Sequence, residues 1–230
     1  MNPFALSKWL LLLENWTLFF EGAVYTVIYS CLGLLVAVSF GLLLALMGVA
    51  GKRSLRVVNK VFGRLAQNIP QVIVLFFMYN VLPMLGIRMS VFQIGVWGVG
   101  IYQGVFISET FRAGIEAIPR GQWEAAQSQG LSWLQMFRLI ILPQMFRAVL
   151  PSFANNVVNF IKNTSVLAMI AGGEMMYVAD SWSSYNMAYG PAYAVTAAVY
   201  FILCFPLSRF AQKLEAGRTG SDGERSVMEV

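Results

Sequence analysis

A charge inside an apolar stretch is the first feature whose chemistry calls for a reason. Lys162 stands in Phe160-Ile161-Lys162-Asn163-Thr164-Ser165, within an otherwise lipid-soluble run, and Glu109 is placed similarly in another. A charged side chain at the centre of a bilayer costs ~2.5–3.5 kcal/mol on insertion scales unless it is paired or faces water. Three readings are open. Lys162 snorkels to an interface, or the two charges neutralise each other, or they take the carboxylate and amino groups of a zwitterionic ligand. In the last case Asn163, Thr164 and Ser165 are further polar partners, although Ser and Thr in spans often bond only their own helix backbone.

The second cluster is amphipathic. Residues 124–143 run Glu-Ala-Ala-Gln-Ser-Gln-Gly-Leu-Ser-Trp-Leu-Gln-Met-Phe-Arg-Leu-Ile-Ile-Leu-Pro. A helix starting near Gly121 places Trp123, Ala126, Gly130, Trp133, Leu134 and Phe137 at helical spacings, with Gly130 as a bend or an end. A short helix tethered at both ends is suited to seat in the groove of a soluble partner. An ordinary interfacial helix has the same composition, and the pattern alone leaves both open.

The elements that hold these residues are set by the solvent. Of 230 residues 58% are hydrophobic and 12% charged, against about 25% charged in soluble domains; mean hydropathy is +0.65. About 20 apolar residues cross the hydrocarbon core as a helix, and apolar stretches lie near 18–47, 68–87, 91–111, 148–172 and 192–210. The expected fold is all-α and integral to the membrane, with about five transmembrane helices and a cytoplasmic helix between the third and fourth. Its divisions are an external lead-in over 1–17, a membrane domain over 18–213 that includes the amphipathic segment at about 117–143, and a polar cytoplasmic tail over 214–230.

Net charge is +5, and its distribution speaks for topology, not for nucleic acid. Thirteen of the sixteen lysines and arginines fall at 52–64, around the amphipathic segment and after the last apolar stretch. By the positive-inside rule those regions face the cytoplasm, which puts the N-terminus outside and the C-terminus inside. On that reading 52–64 is a basic loop, and the aromatic, Lys- and Arg-free stretch 174–191 is an external loop. The Pro70 region opens the second span, and Gly41 and Ala45, four apart, mark close helix packing.

With no histidine, histidine ligands and bases are excluded, and no Gly-x-x-x-x-Gly-Lys-Ser/Thr loop occurs. Cys31 and Cys204 imply no disulfide framework or metal site. No catalytic constellation stands out, so the chain is not expected to be an enzyme or to hold a cofactor.

The spacing of Glu124-Ala125-Ala126, Gly130 and Ile140-Ile141-Leu142-Pro143 resembles the coupling loop of permease subunits in bacterial ATP-binding-cassette importers of the binding-protein-dependent type I family. Glu21-Gly22-Ala23-Val24-Tyr25-Thr26, the Pro70 region, Glu109 to Ile115, Pro119-Arg120-Gly121-Gln122 and Phe160 to Ser165 resemble its polar-amino-acid branch, over about 190 residues. Relatives often carry Arg-Gly-Thr-Pro where this chain has Gln67-Asn68-Ile69-Pro70.

The resemblance implies an inner-membrane permease subunit. Glu124, Ala125, Ala126 and Gly130 would dock on an ATPase dimer that uses ATP and Mg. A second permease chain, identical or paralogous, would complete the pathway, and an external binding protein would deliver a polar amino acid. Glu109, Lys162, Asn163, Thr164 and Ser165 would line the substrate path, and Asn163, where relatives for cationic amino acids carry Asp, implies a non-cationic substrate. An ion-gradient-driven secondary transporter, or a membrane assembly protein without transport, are the alternatives.

Overall fold

The computed structural model describes residues 2–228, which form helices and the turns between them. α1 (Leu6–Glu14) leads directly into α2 (Trp16–Val49), and α3 (Arg53–Asn68) meets α4 (Gln71–Phe76) at an elbow. α4 continues through a π turn and a 3-10 turn to Leu85, and α5 (Val91–Ile94) runs through a π turn into α6 (Gly100–Glu116). α7 (Arg120–Ser128) precedes α8 (Trp133–Met136), which joins α9 (Leu142–Asn163) through another π turn and extends as a 3-10 helix to Ile170. α10 (Met175–Asn186) and α11 (Tyr189–Met228) complete the chain.

Four of these units are long and apolar enough to cross a membrane, and the bent pair Arg53–Asn68 with Gln71–Leu85 brings the number to five among the described residues. The unit Val91–Glu116 is central: 56% of its apolar window is buried, against 11% for α11.

α2 is apolar on every side, so its orientation is set by side-chain size. Its inward stripe is Gly22, Thr26, Tyr29, Gly33, Ala37, Gly41 and Ala45, spaced three or four apart as one helical face requires. A Cβ on Gly41 would lie 2.7 Å from the Gly104 carbonyl oxygen. That contact is the close helix approach expected of Gly41, made against α6, and van der Waals packing of this kind holds helices together where lipid supplies no hydrophobic drive.

Three expectations are corrected. The stretch 52–64 is not a loop but most of α3, which is markedly amphipathic and therefore helical at an interface. Ile69, extended as a residue before proline must be, and Pro70 then turn the chain through 103° into α4. The fourth long unit starts at Trp133, not 148; Trp133, Leu134 and Phe137 thus belong to it and not to the amphipathic helix before it. The π turn Phe137–Ile141 sits just before Pro143, whose missing N–H and bulky ring disturb the ordinary helical bonding.

The third correction is at 174–191, where α10 packs between α2 and α11. Met175, Ala179, Trp182 and Ser183 face inward, a 3.6-residue period that a count of aromatics and missing cations does not reveal. α11 continues through the stretch read as a polar tail as far as Met228.

Glu174 caps α10 from a fully buried position, its carboxylate accepting from the Met176 and Tyr177 N–H groups at 2.7 and 2.9 Å and from the Tyr200 hydroxyl at 3.1 Å. Burial pushes its carboxyl up to about 7, a rise that these three donors partly oppose. The folded state therefore holds the proton where the unfolded chain, near 4.5, has lost it. This contribution is complete below pH about 4.5 and is lost as pH rises to about 7, by ~3 kcal/mol at most. Thermal unfolding in detergent is expected to show a midpoint falling from pH 5 to pH 8, and a flatter profile in Glu174→Gln; an equal fall in the variant would assign the dependence to other groups.

Candidate functional site

A polar cleft of about 390 Å³ opens between α4, α6 and α9. Gln71 comes from the first turn of α4, Tyr102, Gln103 and Phe106 from α6, and Asn156, Asn159 and Asn163 from α9. The three asparagines fall at i, i+3 and i+7, one face of a helix. None of the seven side chains carries a full charge at neutral pH. Tyr102 braces the elbow above the cleft, its hydroxyl 3.0 and 2.9 Å from the Ala66 and Ile69 carbonyl oxygens.

The amides of the cleft are incompletely paired. Gln103 Nε2 donates to Gln71 Oε1 at 2.8 Å, and Asn156 Nδ2 donates to Thr110 Oγ1 at 2.8 Å. Gln71 is 8% exposed, and its Nε2 has no hydrogen-bond partner. A buried donor left unpaired costs about 1–3 kcal/mol. The chemistry offered is recognition of an uncharged polar group or a carboxylate oxygen by neutral amides, without proton transfer.

The residues expected to line a path are dispersed. Asn163 alone is in the cleft. Thr164 and Ser165 donate to the Ile161 and Lys162 carbonyl oxygens, both at 2.7 Å, so their hydroxyls serve their own helix. Lys162 is exposed, a quarter turn from the asparagine row.

Glu109 does not pair with Lys162. It accepts from Arg112 at 2.6 Å, and Arg112 also reaches Glu116 at 2.8 Å. Both ion pairs lie within α6. Glu109 lines a separate, charged cleft with Arg56, Lys60 and Arg64.

Gln71, Gln103, Asn156 and Asn159 line this cleft and were not among the residues expected from the sequence. The signal for them existed: amides recurring within apolar stretches, three of them on one helical face. Lys162 and its neighbours drew the reading instead.

The amphipathic segment is two helices with a glycine turn between them. Gly130 has φ +72, a left-handed conformation that glycine adopts without the penalty of a Cβ. Its N–H bonds the Gln127 carbonyl at 2.9 Å and the Leu131 N–H bonds the Ala126 carbonyl at 3.3 Å, the pair of bonds that ends a helix in a Schellman motif. Glu124 and Ala125 are exposed, whereas Ala126 is buried against the chain's own core cluster beside Trp123. Of the four residues expected to meet a partner, Ala126 therefore anchors α7 to the membrane helices. Gln144 Nε2 adds a bond from α9 to Gln122 Oε1 at 3.3 Å. α7 is thus tied by one side-chain bond to α9, the helix that carries the asparagine row.

Comparison with known proteins agrees with this architecture. The chain is 34% identical to the Probable glutamine ABC transporter permease protein GlnM of Bacillus subtilis strain 168 over 205 residues, which cover 89% of this chain and 95% of that protein. It is 31% identical to the Probable amino-acid ABC transporter permease protein YckA of the same organism, covering 89% and 91% of the two chains. Among solved structures, that of an amino acid ABC transporter with histidines superimposes with a TM-score of 0.80 at 27% identity, covering 90% of this chain and 97% of that one. Residues 11–219 match the family described as Binding-protein-dependent transport system inner membrane component. An all-helical membrane chain with a docked amphipathic turn and a polar cleft between its spans thus belongs to that family.

Proposed function

We propose that this chain is the permease subunit of an ATP-driven importer of polar amino acids and that the amide cleft is part of the substrate path. The observation that carries the substrate class is the cleft's lining of neutral amides, Gln71, Gln103, Asn156, Asn159 and Asn163. Such a lining takes a carboxylate or amide oxygen and offers no countercharge to a cationic side chain. Relatives described as glutamine and amino-acid permeases support the same class.

In this reading the N-terminus is outside and the C-terminus cytoplasmic in a bacterial inner membrane, so α3 and α7 face the cytoplasm. An external binding protein delivers the substrate. A dimer of ATPase subunits, using ATP and Mg, grips the exposed side of α7 at Glu124 and Ala125, and two permease chains enclose the pathway. Because α7 is fixed to the core at Ala126 and to α9 at Gln144, force applied to α7 reaches the asparagine row through packed helices.

Vesicles holding the whole complex and its binding protein test the proposal. Uptake is expected to stop on ATP depletion and to persist when the proton gradient is collapsed. The reverse pattern would make the chain part of an ion-driven transporter.

A further inference from the structure

α3 carries three parallel stripes, stepping by three or four residues. Asn59 and Gly63 face inward with Ala66, and Arg56, Lys60 and Arg64 form a basic stripe beside them. Val57, Val61 and Leu65 form the next stripe and are 48–50% exposed. At 100° per residue the order around the helix is buried, basic, apolar. The elbow groove follows the apolar stripe.

That groove, of about 230 Å³, is lined only by apolar contacts; it begins at Phe62 and Leu65 and passes Ile69 and Val74 to Met78 and Ile101. The basic stripe borders the charged cleft of about 420 Å³ against α6. The carboxylates there, Glu109 and Glu116, are both taken by Arg112. Arg56, Lys60 and Arg64 have no ion pair among the described residues. Unpaired cations therefore lie along one edge of an exposed apolar stripe and an open apolar groove along the other.

We propose that the α3–α4 elbow is a binding site for one anionic phospholipid of the cytoplasmic leaflet. Its phosphate lies on the Arg56, Lys60 and Arg64 stripe, and an acyl chain crosses Val61 and Leu65 into the groove. The charge selects an anionic headgroup, since basic residues at a membrane surface attract anionic lipids. The apolar stripe and groove select a lipid over a soluble phosphate, in the manner of interfacial helices that bury one face among acyl chains. The site rests on the cytoplasmic placement of α3 proposed above. It lies on the elbow that presents Gln71, so lipid occupancy would bear on the substrate cleft through the position of α4.

The test measures binding, so failure of transport cannot be mistaken for failure of the site. The full complex is assembled in nanodiscs of equal phosphatidylglycerol and phosphatidylcholine, released into mild detergent, and the lipids retained by the permease are counted by native mass spectrometry. Wild type is expected to retain phosphatidylglycerol roughly tenfold over phosphatidylcholine. The Arg56→Gln/Lys60→Gln/Arg64→Gln variant, altered only at exposed side chains, is expected to fall to parity. Ile101→Trp, which fills the groove, is expected to lower total retained lipid and leave the headgroup preference.

Parity in wild type, or an unchanged ratio in the triple variant, would overturn the proposal. Displacement of the retained lipid by millimolar inorganic phosphate alone would make the site one for soluble phosphate. Loss of permease pairing in Ile101→Trp with lipid retention unchanged would give the groove to a second copy of the chain.

Discussion

Gly130→Val is expected to reduce ATP-driven uptake to below about a tenth while leaving membrane insertion intact. The cause is backbone, not space: a Cβ at Gly130 would meet nothing within 4 Å, but φ is +72. A left-handed conformation costs an L-residue ~1–2 kcal/mol, and β-branching worsens it. The strain is relieved by undoing the turn, which releases the Gly130 and Leu131 bonds to Gln127 and Ala126 and tilts α7 relative to α8. Gly130→Asn is the control, because asparagine tolerates this conformation at helix ends. Copurification of the partner ATPase should be kept in Gly130→Asn and lost in Gly130→Val. Full uptake and ATPase retention in the valine variant would remove α7 from the coupling role.

The second large effect is expected in the cleft. Gln71→Leu keeps the bulk but removes both amide functions, so Gln103 Nε2 loses its acceptor and the cleft loses one of its polar lining groups. Each unpaired buried polar group costs about 1–3 kcal/mol, so uptake at low substrate concentration should fall by roughly tenfold or more, with the ATPase still bound. Asn163→Asp tests charge in the same cleft. A carboxylate there supplies the countercharge the native lining lacks, and uptake of cationic amino acids should rise relative to neutral ones. Unchanged kinetics in both variants would place the substrate path elsewhere.

Together the two experiments separate coupling from recognition. A valine at 130 should disconnect the motor without altering the cleft, whereas leucine at 71 should impair the cleft with the motor attached. In the proposed coupling the link between them is short. α7 is held by Ala126 and by Gln144 to α9, and α9 carries Asn156, Asn159 and Asn163.

The order of the amino acids carried the solvent, the helical class and the segment around Gly130. Those features are local: hydropathy is a sum over neighbouring residues, and a left-handed glycine after a short amphipathic helix is written in its own few positions. It also marked Gly41, because a small residue in a span has meaning wherever the partner helix comes from. The helix α10 could have been read from its period, yet the absence of cations at 174–191 argued for a loop.

Tertiary structure alone decided which polar groups meet. Gln71 and Gln103 are 32 residues apart and join only because Ile69 and Pro70 bend the chain against Tyr102. Lys162 and Glu109 looked like a pair because both are charged within apolar runs, but Glu109 had Arg112 three residues away on its own helix. Helix rotation then separated Lys162 from Asn163, its neighbour in sequence, by about 100°. In a membrane chain hydropathy marks where a helix crosses, while the small residues and prolines that set its rotation and bend decide which face looks inward.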